Sequence, residues 1–381
     1  MKTIRLSFLI LLFSINKTFS QEITMNMALD TTDTGRNAVI KLWTDYLHSK
    51  PDSIYDNPYW NNNEKLSYQC YDLLKSEGYI RPSLYYFKLN NKILSVTKAD
   101  NGYIIKSMFY RVKSEDVFAI TNVFAEKEKD RYYLSNYQSH YTSAWVTKQV
   151  GIIKYHYFPE YKFDSINANN ANSFLNKLST LLKFKVDTIN YFICRDCDDI
   201  FRVMGFDYVF SMGNQHECGF FDGYNNIIYA TALAGEKHQH ELTHTLNKYF
   251  PQGHEWLLSG ISAYWGGENA QNGKPLIYHI KRVNEYLKLH PEIDLNKPTE
   301  FWQVDNDTNP IYVIGAILCD KALHDGGIEK LKRCLNFGRS NEQLITMIEK
   351  ELYIKRDTLN QFFRNRLNEI DKTNELKIIT K

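Results

Sequence analysis

The sequence HQHELTHTLNKYF, at residues 238–250, constrains the fold more than any other stretch of the chain. Because residues four apart share one face of an α-helix, His240 and His244 can present two imidazoles to one ion. Neutral imidazole is a preferred zinc ligand. Glu241 lies about 100° around the helix from His240, where it reaches a water on the ion rather than the ion itself. Zinc lowers the pKa of such a water, and Glu241 would accept its proton. The stretch therefore predicts a hydrolase-type metal helix.

A second apolar helix is predicted at residues 256–267, WLLSGISAYWGG. With it, residues 151 to about 370 resemble the gluzincin (peptidase MA-like) clan of zinc metallopeptidases. The matching elements are NNIIYAT (225–231) as the edge strand above the cleft, HELTH as the metal helix, and this second helix. The clan's second helix typically reads Trp-Leu-x-Glu-Gly-x-Ala-x-Tyr, and its Glu is the third zinc ligand. Trp256, Leu257, Gly260 and Tyr264 match this pattern, whereas Ser259 occupies the Glu position.

The third metal ligand is therefore the open question, because a neutral serine hydroxyl is a poor zinc ligand. Glu255 is the substitute that we expect, since it lies one helical turn before Ser259 on the same face. His254 and Glu268 are two further options. Each of the three has an ordinary alternative, namely a solvated helix-end charge or a loop residue.

Two other residues are assigned from the resemblance and from helix geometry. Tyr312, at the start of the helix-like stretch IYVIGAILCD, resembles the transition-state tyrosine of related gluzincins. The alternative for Tyr312 is a packed aromatic side chain at a helix start. His238 lies two residues before His240, so on a helix it points elsewhere, and we do not expect it to be a ligand.

Two functional hypotheses follow from these residues. The first is a secreted zinc-dependent metallopeptidase that hydrolyses peptide bonds through a zinc-bound water activated by Glu241. The alternative is a catalytically impaired pseudopeptidase that uses the gluzincin fold to bind peptides or proteins. A third hypothesis, carbohydrate binding, rests on aromatic residues in the N-terminal region, although aromatic side chains more often pack a core. Those residues are Tyr85, Tyr86, Tyr103, Tyr110, Tyr132, Tyr133 and Trp145.

The N-terminus predicts a cleaved secretory signal. Lys2 and Arg5 precede the apolar run 6–15, and small residues favour cleavage between Ser20 and Gln21. An uncleaved membrane anchor is the alternative, but the run is short for a membrane span. Without this signal the chain has 43 basic and 44 acidic residues, which argues against nucleic acid as a partner. We therefore expect a secreted or periplasmic protein that has no membrane span and binds peptides or proteins.

Six cysteines allow up to three disulfides, and the sequence does not choose among the pairings. Cys194 and Cys197 form a CxxC pair between a predicted strand and a predicted helix. A structural disulfide is favoured over a redox site, because no βα pattern precedes the pair.

The expected fold class is α+β, with a zincin-like lobe and a helical C-terminal lobe after a small antiparallel-sheet domain. The expected divisions are residues 1–20 (signal), 21–150 (N-terminal α+β domain) and 151–375 (peptidase MA-like domain). Turn chemistry at Asp100-Asn101-Gly102 predicts a hairpin over 94–110. Further strands are predicted at 117–124, 132–137, 152–157, 189–193 and 227–230. Helices are predicted at 37–48, 64–77, 170–184, 198–204, 277–289, 311–324, 328–335, 342–351 and 357–369.

Overall fold

The computed structural model describes residues 22–376, apart from 50–56, 68–88, 112–113, 115, 210–211, 214–217 and 268. The fold is α+β, as the sequence predicts: two sheets are followed by a helical C-terminal region. The first elements along the chain are β1 (Ile23–Met25), α1 (Thr34–His48), α2 (Asn62–Ser67), β2 (Asn90–Ala99), β3 (Gly102–Tyr110), β4 (Val117–Glu128), β5 (Arg131–Asn136) and α3 (Tyr137–Tyr141).

The first five strands of the first sheet lie in chain order; the β1–β2 pair is parallel, and the β2–β3, β3–β4 and β4–β5 pairs are antiparallel. The β2–β3 pair confirms the predicted hairpin, and α1 confirms the first predicted helix. Most of the helix predicted at 64–77 lies outside the described residues, as do Tyr85 and Tyr86. Tyr103 is buried against Tyr132, and the remaining predicted aromatics are half-buried. These side chains therefore help to pack the domain.

The second sheet begins near residue 146 and is mixed. The elements in this segment of the chain are β6 (Val146–Val150), β7 (Ile153–Tyr157), α4 (Ser165–Leu182), β8 (Ile189–Cys194), α5 (Cys197–Val203), β9 (Phe206–Val209), β10 (Gly219–Asp222) and β11 (Ile227–Thr231). The strand order is β10-β11-β8-β7-β6, with antiparallel strands at both edges. Strand β9 lies in the same segment of the chain but belongs to the first sheet, where it pairs with β4.

The edge strand beside the cleft is β10, so the expectation that NNIIYAT forms the edge is wrong. The strand within that stretch, β11, pairs with β8 on one side and β10 on the other, and all five of its residues are buried. Its continuous apolar pattern is that of an interior strand. The four residues of β10 lie in a Gly-rich stretch whose sequence predicts a turn. The sequence therefore does not indicate that this stretch is the edge strand.

The helical region supplies the remaining elements: α6 (Gln239–His244), α7 (Glu255–Trp265), α8 (Leu276–Leu289), α9 (Pro310–Leu335), α10 (Asn341–Leu352) and α11 (Leu359–Thr373). The predicted helices 311–324 and 328–335 form the two halves of α9, which kinks at Gly326 and Gly327. Close packing of α7 on α9 depends on glycine, because a Cβ on Gly315 would lie 1.8 Å from the Trp256 carbonyl oxygen. No helix in the described part of the chain is long and apolar enough to cross a membrane.

The second sheet separates two apolar cores. One face packs, with α5, against the first sheet and α1, and the other face packs against α4 and the helical region. Since β9 completes the first sheet from within the segment 151–375, the two predicted domains share a core. The division near residue 150 remains a prediction.

One disulfide, Cys197–Cys218, joins residues within the described part of the chain. It ties the start of α5 to the residue before β10. Cys194 is a free, buried thiol at the end of β8, so the CxxC pair does not form its own disulfide. Cys319 and Cys334 are also free and buried, and Cys70 lies outside the described residues.

Candidate functional site

The HExxH motif lies on α6, a helix of only six residues. Tyr191 of β8 positions its start: the hydroxyl donates to the Gly235 carbonyl at 2.7 Å and accepts the His238 N–H at 3.3 Å. Leu242 of α6 is fully buried in the core beneath. The second sheet thus fixes the helix that carries the motif. Leu246 and Phe250, beyond the end of α6, are also buried.

The two motif histidines face each other. The Nε2 atoms of His240 and His244 lie 3.0 Å apart, and the Nδ1 of His244 lies 3.1 Å from the hydroxyl of Ser262 and 2.9 Å from the amide nitrogen of Asn247. Burial lowers the pKa of His244 to about 4 and that of His240 well below its ordinary value. Both imidazoles are therefore neutral near pH 7 and share one hydrogen bond between them.

Glu241 points toward the edge strand. Burial raises its pKa to about 8, and the backbone N–H of Phe221 donates to the carboxylate and opposes that shift. A Cβ on Gly219 would lie 2.6 Å from the Cγ of Glu241 and 2.6 Å from the Nε2 of His238. The glycine at the start of β10 is therefore what allows α6 to approach the strand so closely.

Tyr312, the third residue of α9, lies in the same place. Its ring centroid is 5.4 Å from that of His240. Burial, followed by the nearby Glu241 carboxylate, raises the pKa of Tyr312 to about 12, so the phenol keeps its proton and can donate a hydrogen bond. The structure thus brings together four of the five residues predicted for the site.

These side chains surround a cavity of about 540 Å³, a size typical of small-ligand and peptide sites. Sequence reasoning missed much of its lining, which comes from α5, β10 and a loop after α7. The additional lining residues are Cys197, Ile200, Phe201, Cys218, Gly219, Phe220, Phe221, His238, Asn247, Asn269, Gln271 and Asn272. Their spacing in sequence gives no signal for this arrangement, since it depends on how three separate elements pack.

The expectation that His238 points away from the site is wrong. It lines the cavity, and its Nε2 lies 3.2 Å from the amide nitrogen of Asn269. Its backbone (φ −76°, ψ 83°) is not helical, because the residue precedes the first turn of α6. The argument from helical spacing, which predicted that its side chain points away from the site, therefore does not apply. Burial lowers the pKa of His238 to about 4.

The fifth predicted residue, Glu255, is exposed at the start of α7 and does not line the cavity. His254 does not line the cavity either. Its Nδ1 accepts the Trp256 N–H, and its Nε2 lies 3.1 Å from the amide oxygen of Asn341. Ser259 is half-buried outside the cavity lining. Glu268 lies outside the described residues, so its role remains a prediction.

The donor set that the described residues supply therefore does not fit a catalytic zinc ion. Among the described residues, no three His, Cys, Asp or Glu side chains are grouped so that they could hold a metal. A catalytic zinc site normally has three protein ligands, and here two imidazoles face each other with no anionic third ligand in the part of the chain that the structure describes.

Comparisons with known proteins give distant similarities only. No protein-family model and no curated protein matches the chain. Among solved structures, an M1 zinc metallopeptidase from Deinococcus radiodurans aligns with 77% of this chain and 66% of its own, at 10% identity and a TM-score of 0.31. A variant two-domain M1 zinc metallopeptidase, solved with L-tryptophan and with L-arginine, aligns with 72% of this chain and 63% of its own, at 10% identity and a TM-score of 0.33. This chain thus spans about two thirds or less of those proteins.

Proposed function

We propose that the cavity binds an extended peptide segment along the outer edge of β10, which pairs with no further strand among the described residues, in a peptidase-like fold in which no described residue supplies a third metal ligand. The observation that carries the proposal is the edge itself. The Cys218 carbonyl accepts the Thr231 N–H at 3.2 Å, so in this antiparallel pair residues 218, 220 and 222 direct their backbone groups toward β11. Gly219 and Phe221 consequently direct theirs outward, over the cavity.

An outward edge of this kind is a template for an added strand. Peptides bind such edges through main-chain hydrogen bonds, which give affinity for many sequences, while neighbouring pockets select side chains. The N–H of Phe221 already donates to the Glu241 carboxylate, which shows that the outward groups are within reach of a ligand in the cavity. A bound peptide would compete with Glu241 for this donor.

The histidines favour binding over catalysis. His240 and His244 satisfy one nitrogen of each ring through their mutual contact, and Ser262 and Asn247 lie beside the other nitrogen of His244. Two neutral imidazoles alone hold zinc weakly, because they offer neither charge compensation nor a third donor. The site is therefore arranged without a metal-binding group among the described residues.

Zinc-dependent hydrolysis of peptide bonds is the second candidate function. It is favoured by the convergence of His240, His244, Glu241 and Tyr312 on one cavity. Metal content separates the two proposals. Residues 21–381 are exposed to excess zinc and desalted, and the metal is counted by mass spectrometry beside a His244→Ala variant. One zinc per chain that the variant loses would support hydrolysis, whereas no retained zinc supports a binding protein.

Peptide binding is tested separately, by fluorescence polarisation with a fluorescein-labelled digest of an unfolded protein such as casein. Saturable binding with no cleavage of the digest supports the main proposal. Cleavage that Glu241→Gln abolishes supports the second candidate, since glutamine cannot accept the proton. If no component of the digest binds, the cavity does not take peptides and the main proposal is wrong.

We also propose that the protein is secreted or periplasmic after cleavage between Ser20 and Gln21. The apolar run and the small residues before the cut support this location. Mass spectrometry of the N-terminal peptide from the exported protein checks it, and an intact Met1 would contradict it.

A further inference from the structure

The outer edge of β10 lies between two chemically different surfaces. Phe220 lies on the face toward the first sheet, where its ring stacks on Tyr229 at a centroid distance of 6.3 Å. Phe221 lies on the opposite face and packs against the core of the helical region. Both residues line the cavity, so the cavity extends around the edge of the strand rather than along one face of the sheet.

The described residues on the Phe220 side form an apolar surface, which we call the apolar wall. It is formed by Ile200 and Phe201 of α5, by the Cys197–Cys218 disulfide, and by Phe220 itself. The aliphatic and aromatic side chains of α5 are packed in the core, so this wall is a fixed surface. Such a surface favours a large apolar group of a ligand.

The surface on the Phe221 side presents hydrogen-bonding groups, and we call it the polar wall. It is formed by His238, Glu241, Asn269, Gln271 and Asn272. The side-chain amide nitrogen of Asn269 lies beside His238, and the side-chain Oδ1 of Asn269 accepts the N–H of Gly273 at 2.9 Å, which holds the loop in place. This wall favours polar side chains and backbone groups of a ligand.

Successive side chains of a β-strand point to opposite faces of the sheet. A strand that pairs with β10 would therefore direct alternate side chains toward the apolar wall and the polar wall. We propose that the ligand is an extended segment with one large apolar side chain between two polar neighbours, and that the apolar side chain packs against α5 and the disulfide. This inference rests on the proposed binding of a peptide to β10 and specifies its sequence class.

Synthetic peptides test the inference on the unaltered protein. Fluorescein-labelled hexapeptides of serine, threonine and glutamine carry phenylalanine, leucine, serine or aspartate at one central position. Burial of a large apolar side chain predicts that the phenylalanine and leucine peptides bind about tenfold to a hundredfold more tightly than the serine peptide. The aspartate peptide should bind most weakly. Equal affinity across the series would overturn the inference while leaving peptide binding intact, and binding of no peptide would overturn the proposed function itself.

A pair of variants locates the selectivity. Phe220→Ser removes part of the apolar wall and should reduce the preference for phenylalanine over serine by about tenfold. Tyr224→Ser is the matched control, because Tyr224 is 56% exposed in the turn after β10 and does not line the cavity. The control should keep the full preference. Unchanged selectivity in Phe220→Ser, with circular dichroism showing a folded protein, would place the selective surface elsewhere and refute the inference.

Discussion

Glu241 is a buried acid whose ionisation should cost stability, and this can be measured in the metal-free protein. Its pKa is raised from 4.5 to about 8, mainly by burial. Between these two pH values the folded chain holds a proton on Glu241 that the unfolded chain has released. Stability therefore falls as the pH rises through this window, and below or above the window this group adds no further pH dependence. Each pH unit corresponds to roughly 1.4 kcal/mol, so the loss is about 3 kcal/mol by pH 7 and about 5 kcal/mol above pH 8.

The Glu241→Gln variant has no ionisable group at this position, so it should not show this loss of folding stability with rising pH. Relative to the unaltered protein, it should gain about 3 kcal/mol between pH 4.5 and pH 7, or a rise in melting temperature of about 4 °C for a chain of this size. The neighbouring histidines remain in both proteins, so their contributions largely cancel in the difference. Thermal unfolding is followed by circular dichroism in the presence of EDTA, across this pH range.

The control is Glu255→Gln, which changes an exposed acid at the start of α7. Its melting temperature should follow that of the unaltered protein at every pH. If Glu241→Gln shows the same pH dependence as the unaltered protein, the carboxyl group is not held in a desolvated site. The reasoning about the cavity would then be wrong.

Three further predictions concern the frame of the site. Gly219→Val should weaken peptide binding in fluorescence polarisation more than tenfold, since its Cβ would lie 2.6 Å from Glu241 and His238. Gly223→Ala is the control and should bind peptides normally, because its Cβ would contact the Phe221 ring at 3.3 Å. Cys218→Ser should lower the free energy of unfolding by about 3 kcal/mol, because it opens a loop closed over a sequence separation of 21; no change in urea denaturation would contradict this. Gly315→Ala should cost about 3 kcal/mol or prevent folding, because α7 and α9 would have to separate; a normal melting temperature would refute the close packing.

The sequence predicts most of the elements because local patterns specify them. Helix α1, the β2–β3 hairpin and the kink within α9 each follow from periodicity or turn residues in one continuous stretch. His240 and His244 meet as predicted, because their relation is set within six residues of helix.

The errors arise where packing between distant segments decides the outcome. The identity of the edge strand depends on which strand has a second partner, and the short strand β10 carries no periodic signal. His238 reaches the cavity because the helix begins one residue after it. The pairing of Cys197 with Cys218 depends on the approach of β10 to α5, which the spacing of the cysteines does not encode.

The path of the chain through α5 and β9 links the cavity to the first sheet. From the disulfide at Cys197, the chain runs along α5 and continues directly into β9, which pairs with β4. A fragment that begins at residue 151 would therefore lose the strand on which β9 depends, and with it the support beneath the apolar wall. The N-terminal sheet and the cavity therefore depend on each other for their structure, and removal of the first sheet would disturb the binding surface as well.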